Sequence, residues 1–424
     1  MTEHPALALA DAVATELTDP ATAPLDKPAV TSHRQSLAHG LPGIALLHIE
    51  RAAAGRGPWQ HAHTWLTAAA STPLTSGPDS HPFYGAPALA HALACAAEHL
   101  PNAYASALDA LDQQMRMDVA RRLDTARRRL DAGDLPALAE FDAIRGLAGY
   151  GAYLLRRPGS EDALRAILEY CVHLTEPITH DGASLPGWWT PLGPSGRLDE
   201  RFPGGHANNG MAHGVGGVLA LLALAARRGH LVEGHHHALR TILAWLDQWQ
   251  HNTGSGPSWP YWVTQEDMRT GELPHTGSQR LSWCYGTAGI ARAQQLAALT
   301  LGDTARQVVA EHALSVALHE PSQLRHTTDP GMCHGVAGLA HIAARALQDA
   351  HASTRPQLLA VLPTLLDVVH SPQAHPTPAA QALLHNHRAG AGFLDGAAGI
   401  ALALLAPTTG SSPRTAWDAC LLLG

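Results

Sequence analysis

The sequence predicts an all-α protein built as two concentric rings of helices, and three observations carry that expectation. A glycine-centred motif recurs seven times along the chain. Each copy is followed by a run that is apolar on nearly all sides. Alternating β-branched residues are scarce throughout.

The motif reads as a small or polar residue, Gly, two residues, Gly or Ala, then the apolar run. Its leading glycines are Gly40, Gly85, Gly146, Gly214, Gly286, Gly335 and Gly396. The second glycine follows three positions later in six copies, and Ala88 takes its place in the second copy. Spacings of 45 to 72 residues leave room for one helical hairpin per unit, and units of that length bury their faces on one another in an array. A run such as Leu219-Ala220-Leu221-Leu222-Ala223-Leu224 has no polar face, which marks an enclosed helix. The stretches 239–249 and 305–319 are mixed and suit an outer layer. Glycine at each helix entry permits a sharp turn and close backbone approach. Loop-like breaks fall at 19–32, 71–82, 176–209, 252–279 and 371–378. Two of them hold tryptophans (Trp188-Trp189 and Trp259-Pro260-Tyr261-Trp262), which read equally well as lids or as plugs. The expected organisation is an N-terminal segment over 1–36 packed on a single helical domain over 37–424.

Composition narrows the function. A net charge of −8 argues against nucleic acid as a partner. Arg121, Arg122, Arg127, Arg128 and Arg129 alternate with Asp118, Asp124 and Asp131, a pattern that reads as a solvated helix face with i,i+3 and i,i+4 pairs. Lys27 is the single lysine. The N-terminus carries Glu3, Asp11 and Glu16 without a basic start, so it does not read as a signal peptide. The longest apolar run, 218–226, is about half of the roughly 20 residues a membrane crossing needs. A cytoplasmic protein is expected. Five cysteines do not suggest a disulfide framework, and Cys95, Cys171 and Cys420 read as ordinary buried thiols. His235-His236-His237 reads as a surface turn, since consecutive residues point in different directions.

Ser282-Trp283-Cys284-Tyr285-Gly286 and Gly331-Met332-Cys333-His334-Gly335 stand apart. Two thiolates and an imidazole suit zinc, and three protein ligands leave a tetrahedral position for a substrate sulfur or a water. Cys284, Cys333 and His334 are therefore the candidate metal ligands.

With these blocks and Asn209-Gly210-Met211-Ala212-His213-Gly214 in order within the repeat, the chain resembles the lanthionine synthetase C-like family. More narrowly, it resembles the stand-alone cyclases of bacterial class I lanthipeptide systems, over about residues 37–405. The resemblance implies an α/α toroid with one zinc. It implies addition of peptide cysteine thiols to dehydroalanine or dehydrobutyrine, forming lanthionine and methyllanthionine. The substrate is then a dehydrated precursor peptide, and a dehydratase and an exporter are implied as transient partners at a membrane-bound complex. Active-site positions of the family map onto Asp142, His213, Arg280, Trp283 and Tyr285. Characterised members carry a small β-rich insertion in some cases, and no clear β-rich stretch is visible in this sequence.

The chemistry of these residue types agrees. Conjugate addition needs an acid for Cα and a donor for the developing oxyanion. His213 is the candidate acid and Asp142 the group that orients it, unless Asp142 only caps the helix that follows. Arg280 suits the enolate oxygen or a peptide carbonyl. Trp283 and Tyr285 are expected to wall the pocket, with the Tyr285 hydroxyl as a donor. Two rivals use the same residues differently: an enzyme adding glutathione or another small thiol to dehydrated residues, and a non-catalytic peptide-binding toroid with zinc as a plug.

Overall fold

A computed structural model describes residues 4–24, 31–100, 102–253, 256–273, 279–386 and 389–424. Lys27 and parts of the loops expected over 19–32 and 252–279 lie outside the described residues. No helix among the described residues is long and apolar enough to cross a membrane.

All seven leading glycines are N-cap residues of helices: Leu41–Ala53, Ala86–Ala97, Leu147–Leu154, Val215–Arg227, Thr287–Leu301, Val336–Asp349 and Ala397–Thr409. None has a side chain to cap with, so the preceding turn must fold back and satisfy the first N–H groups with its own carbonyls. The turn before Val336–Asp349 shows how: Val336, Ala337 and Gly338 donate to the carbonyls of Asp329, Pro330 and Gly331 at 3.0–3.2 Å. A Cβ on Gly338 would fall onto the carbonyl oxygen of Met332. Gly286 has a second reason to be glycine, a φ of +87°.

The chain divides into two compact units, Met1–Gln114 with Thr327–Trp417 and Met115–His326 with Asp418–Gly424. In the first unit, Ala397–Thr409 packs between Val336–Asp349 and Leu41–Ala53, and Leu41–Ala53 packs on Ala86–Ala97. The order of motif helices there is six, seven, one, two. Backbone hydrogen bonds tie their turns together: Cys333 N to Leu394 O at 2.8 Å, Phe393 N to Ala38 O at 2.7 Å, and Leu37 N to Phe83 O at 2.9 Å. In the second unit, Val215–Arg227 packs on Leu147–Leu154 and on Thr287–Leu301. Its turns are tied by Ala143 N to Ala212 O at 3.1 Å and Met211 N to Cys284 O at 3.0 Å.

Amphipathic helices cover the enclosed ones. Trp59–Ala70, Glu161–His173, His235–Gln248, Thr304–His319 and Arg355–Val369 each pack on the motif helix of their own repeat. The seventh repeat differs. Its motif helix is covered by Pro5–Glu16, which also packs on Pro376–Leu384. The apolar face Ala6, Leu7, Leu9, Ala10, Val13 and Ala14 is buried. The carbonyl of Leu17, at the end of that helix, accepts from Trp65 Nε1 at 2.8 Å and from His48 Nε2 at 2.6 Å. At the other end of the chain, Arg292 is 1% exposed and its guanidinium donates to the Leu423 carbonyl at 2.8 and 2.9 Å.

Several expectations need amendment. The loops hold short strands. Ile178–His180 pairs with Ala183–Leu185, Trp189–Thr190 with His206–Asn208, and His206–Asn208 with Trp262–Thr264, all antiparallel. Runs of two or three residues are too short for alternation to register in a sequence. Trp188, Trp189 and Trp259 are at most 2% exposed and fill the interior, while Trp262 is half-buried beside Tyr285. His235 is no surface residue: it opens the helix His235–Gln248, is 2% exposed, and is hydrogen-bonded to the Leu222 carbonyl at 2.8 Å. In the arginine-rich helix the pairs Arg121–Asp118 and Arg127–Asp124 form at i,i+3, but Asp118 is fully buried. Cys95, Cys171 and Cys420 are buried, and no cysteine is disulfide-bonded.

Burial pushes the His48 imidazole down to about 4. The unfolded chain takes up this proton near 6.5 and the folded chain only near 4, so the unfolded state holds more protons in between. Stability should fall as the pH drops from 6.5 to 4, by about 3 kcal/mol from this residue. Thermal denaturation across that range should show a shallower fall in a His48→Gln variant, whose amide still donates to Leu17 but does not titrate.

Candidate functional site

The residues singled out in the sequence stand in the turns just before the leading glycines. In the second unit, Asp142 is 1% exposed and uses both carboxylate oxygens. Oδ1 accepts from Arg145 N at 2.6 Å and from Gly146 N at 2.8 Å, which closes the turn into Leu147–Leu154. Oδ2 lies 2.7 Å from His213 Nδ1. Capping and orientation are one arrangement here. The bond assigns the hydrogen to Nδ1 and leaves Nε2 to act elsewhere, and the His213 side chain is 34% exposed.

The turn holding Cys284 lies beside that of His213, since the Cys284 carbonyl accepts from Met211 N. Ser282, fully buried, shapes this turn by accepting from Tyr285 N at 3.0 Å and donating to Tyr285 O at 2.6 Å. Its hydroxyl also lies 3.4 Å from Cys284 Sγ. Cys284 itself is 5% exposed. Sequence reasoning passed over Ser282, although a hydroxyl two residues before a candidate ligand was a usable signal.

Trp283 does not face open space. It is 1% exposed, and Nε1 donates to the Leu421 carbonyl at 2.9 Å, so it fastens this turn to the C-terminal segment. Tyr285 is half-buried, with ring centroids of Tyr261 and Trp262 at 5.2 and 6.0 Å. Its hydroxyl is bonded to Asn208 Nδ2 at 3.0 Å. Arg280 is half-buried, and its backbone carbonyl accepts from the Tyr261 hydroxyl at 2.7 Å. Burial raises the Tyr261 phenol to about 12, so it stays a neutral donor.

In the first unit, Cys333 and His334 end the turn before Gly335. Asp329 Oδ1 accepts from Gly331 N at 2.6 Å and shapes it. His334 Nδ1 lies 3.5 Å from Asp329 Oδ2 and 3.4 Å from Asp395 Oδ1. A carboxylate beside one ring nitrogen is the usual outer partner of a metal-binding imidazole, and it leaves Nε2 as the donor. Neither aspartate was singled out in the sequence.

Among the described residues, Cys284, Cys333 and His334 form a group whose ligand atoms all lie within 4.8 Å of one another. Ligands of a tetrahedral zinc, at about 2.0–2.3 Å from the ion, stand roughly 3.3–3.8 Å apart. Separations bounded at 4.8 Å leave room for that geometry, and the soft donor set suits such an ion.

A solved structure described as nisin cyclase is 22% identical, with a TM-score of 0.74 and 93% of each chain covered. It gives the chain the helical toroid fold expected from the repeats. The nisin biosynthesis protein NisC of Lactococcus lactis subsp. lactis is 26% identical over 208 residues, a match spanning 48% of either chain. The chain thus aligns with about half the length of that relative. The model of the family described as lanthionine synthetase C-like protein matches residues 31–422, and this chain belongs to that family.

Proposed function

We propose that this chain is a zinc-dependent lanthipeptide cyclase. Its reaction would be the intramolecular addition of cysteine thiols to dehydroalanine or dehydrobutyrine in a dehydrated precursor peptide. The observation that carries the reading is the grouping of Cys284, Cys333 and His334 in a family member that also holds the Asp142–His213 pair. Zinc held by these three would act as a Lewis acid on a fourth ligand and lower the pKa of a peptide thiol from its usual 8.5 or so.

The chain's own residues account for the rest. Addition forms a C–S bond at Cβ and moves the π pair toward Cα and the carbonyl oxygen. The thiol loses a proton and Cα gains one, so no oxidant or reductant enters. Asp142 holds His213 with Nδ1 protonated, which presents Nε2 to take up the thiol proton and to return one at Cα. Arg280 and Tyr285 supply hydrogen-bond donors for the oxygen on which charge develops. Trp283 keeps the Cys284 turn in place through Leu421.

Cyclisation leaves mass unchanged, so the test counts residual thiols. Zinc-loaded protein is incubated with a dehydrated precursor peptide, aliquots are alkylated, and labelled cysteines are counted by mass spectrometry. Thiols should disappear well above the uncatalysed rate. Persistence at that rate overturns the reading, and preferential labelling of the peptide by added glutathione points instead to intermolecular thiol addition. Cys333→Ser should lose the bound zinc, about one per chain in the parent, and bring cyclisation to background.

Two Asp142 variants separate its two duties. Asp142→Asn keeps the oxygen that caps Arg145 and Gly146, so its stability should stay within about 1 kcal/mol of the parent. Asp142→Ala should lose about 1–3 kcal/mol by stranding those N–H groups. Both should slow cyclisation on the order of a hundredfold. Full activity in the stable Asn variant would reduce Asp142 to a cap.

A further inference from the structure

Asn208 was not among the residues picked from the sequence, yet its side chain is fully buried and both ends of its amide are engaged. Oδ1 accepts from the backbone N–H of Gly210 at 2.9 Å. Nδ2 lies 3.0 Å from the Tyr285 hydroxyl. The first bond decides the second. A backbone N–H has only a hydrogen to give, so the atom facing Gly210 must be the amide oxygen. The NH₂ group then faces Tyr285, and having no lone pair to offer, it makes the phenol oxygen the acceptor. Tyr285 is left with one polar hydrogen, directed away from Asn208.

The rest of the surroundings keep this geometry. Asn208 lies in the strand His206–Asn208, paired with Trp262–Thr264. An added Cβ on Gly210 would come 2.6 Å from the Cys284 carbonyl and 2.8 Å from the Tyr285 ring, so the phenol is seated tightly against this turn. The Tyr285 ring also lies beside Tyr261 and Trp262.

We propose that Asn208 is a positioning residue that commits the Tyr285 hydroxyl to act as a hydrogen-bond donor. The acceptor would be the carbonyl oxygen of the dehydrated residue, on which negative charge builds as the thiol adds. This rests on the cyclase reading above, and no group transfer beyond that addition is involved. An acceptor at position 208 would instead draw the phenol hydrogen toward itself and remove it from the substrate.

Asn208→Asp makes that inversion with little change of shape and retains the oxygen needed by Gly210. Its cyclisation rate should fall on the order of a hundredfold, as for loss of one preorganised donor, with KM nearly unchanged. Tyr285→Phe should show the same loss, and the double variant should be no worse than Tyr285→Phe alone. Asn208→Ser still caps Gly210 but does not reach Tyr285. It keeps the test open if the buried carboxylate unfolds the chain, and its smaller loss should likewise vanish in the Tyr285→Phe background.

A readout independent of turnover is the tyrosine Fermi doublet in ultraviolet Raman difference spectra against Tyr285→Phe. The signal should change from an acceptor to a donor signature in Asn208→Asp. An unchanged doublet, full activity in Asn208→Asp, or additive losses in the double variants overturn the assignment. Absence of cyclisation by the parent protein, with the doublet shifting as expected, counts against the cyclase reading and leaves the bond direction standing.

Discussion

Backbone hydrogen bonds between neighbouring pre-helix turns within each unit hold several of the chemistry-bearing side chains in place. Each turn must bring its own carbonyls over the first N–H groups of a helix that has only glycine at its N-cap. The same turn reaches sideways to the next one, as Met211 does to Cys284 and Cys333 does to Leu394. Side chains at the last positions of these turns are thereby held at the helix entries. Cys284 and Cys333 occupy the same position, two before the leading glycine, while His213, Tyr285, His334 and Asp395 all occupy the one after it. The repeat reuses one geometric slot and changes its chemistry from copy to copy.

Structure and chemistry are not separate duties at this site. Asp142 satisfies two backbone donors with one oxygen and holds an imidazole with the other. Asn208 closes a turn with its oxygen and engages a phenol with its nitrogen. A cap read from sequence is thus no evidence against a functional role. Dual use of this kind gives rigidity, because the group that aims the functional atom is itself fixed by buried backbone.

The helical architecture was legible because its signals are long-range and periodic. Seven glycines and apolar runs without a polar face survive substitutions at single positions, as Ala88 shows. Cys284, Cys333 and His334 were legible because thiols are rare in this chain and these lie in glycine-flanked blocks. Much of what escaped depends on contacts between residues distant in sequence, although Ser282 and Asp329 act on neighbours within five positions. Asp395 reaches His334 across sixty positions, and Asn208 reaches Tyr285 from a three-residue strand that leaves no alternating pattern. His235 was read with His236 and His237 as one surface turn; those two are exposed, while its own burial comes from docking on the Leu222 carbonyl. Trp283 was assigned to a wall from the family resemblance, and only the path of the C-terminal segment reveals the carbonyl it holds.

The seat of Ala397–Thr409 between Val336–Asp349 and Leu41–Ala53, under the cover of Pro5–Glu16, has a consequence for biosynthesis. Pro5–Glu16 and Leu41–Ala53 leave the ribosome with greasy flanks whose partner, Ala397–Thr409, is translated far later. Until then the nascent polypeptide must shield Leu7, Leu9 and Val13 by transient collapse or with a chaperone, a situation that favours aggregation in slow or truncated translation. Loss of the seventh motif helix would accordingly do more harm than its length suggests, because it uncovers Pro5–Glu16 and Leu41–Ala53 as well as Val336–Asp349.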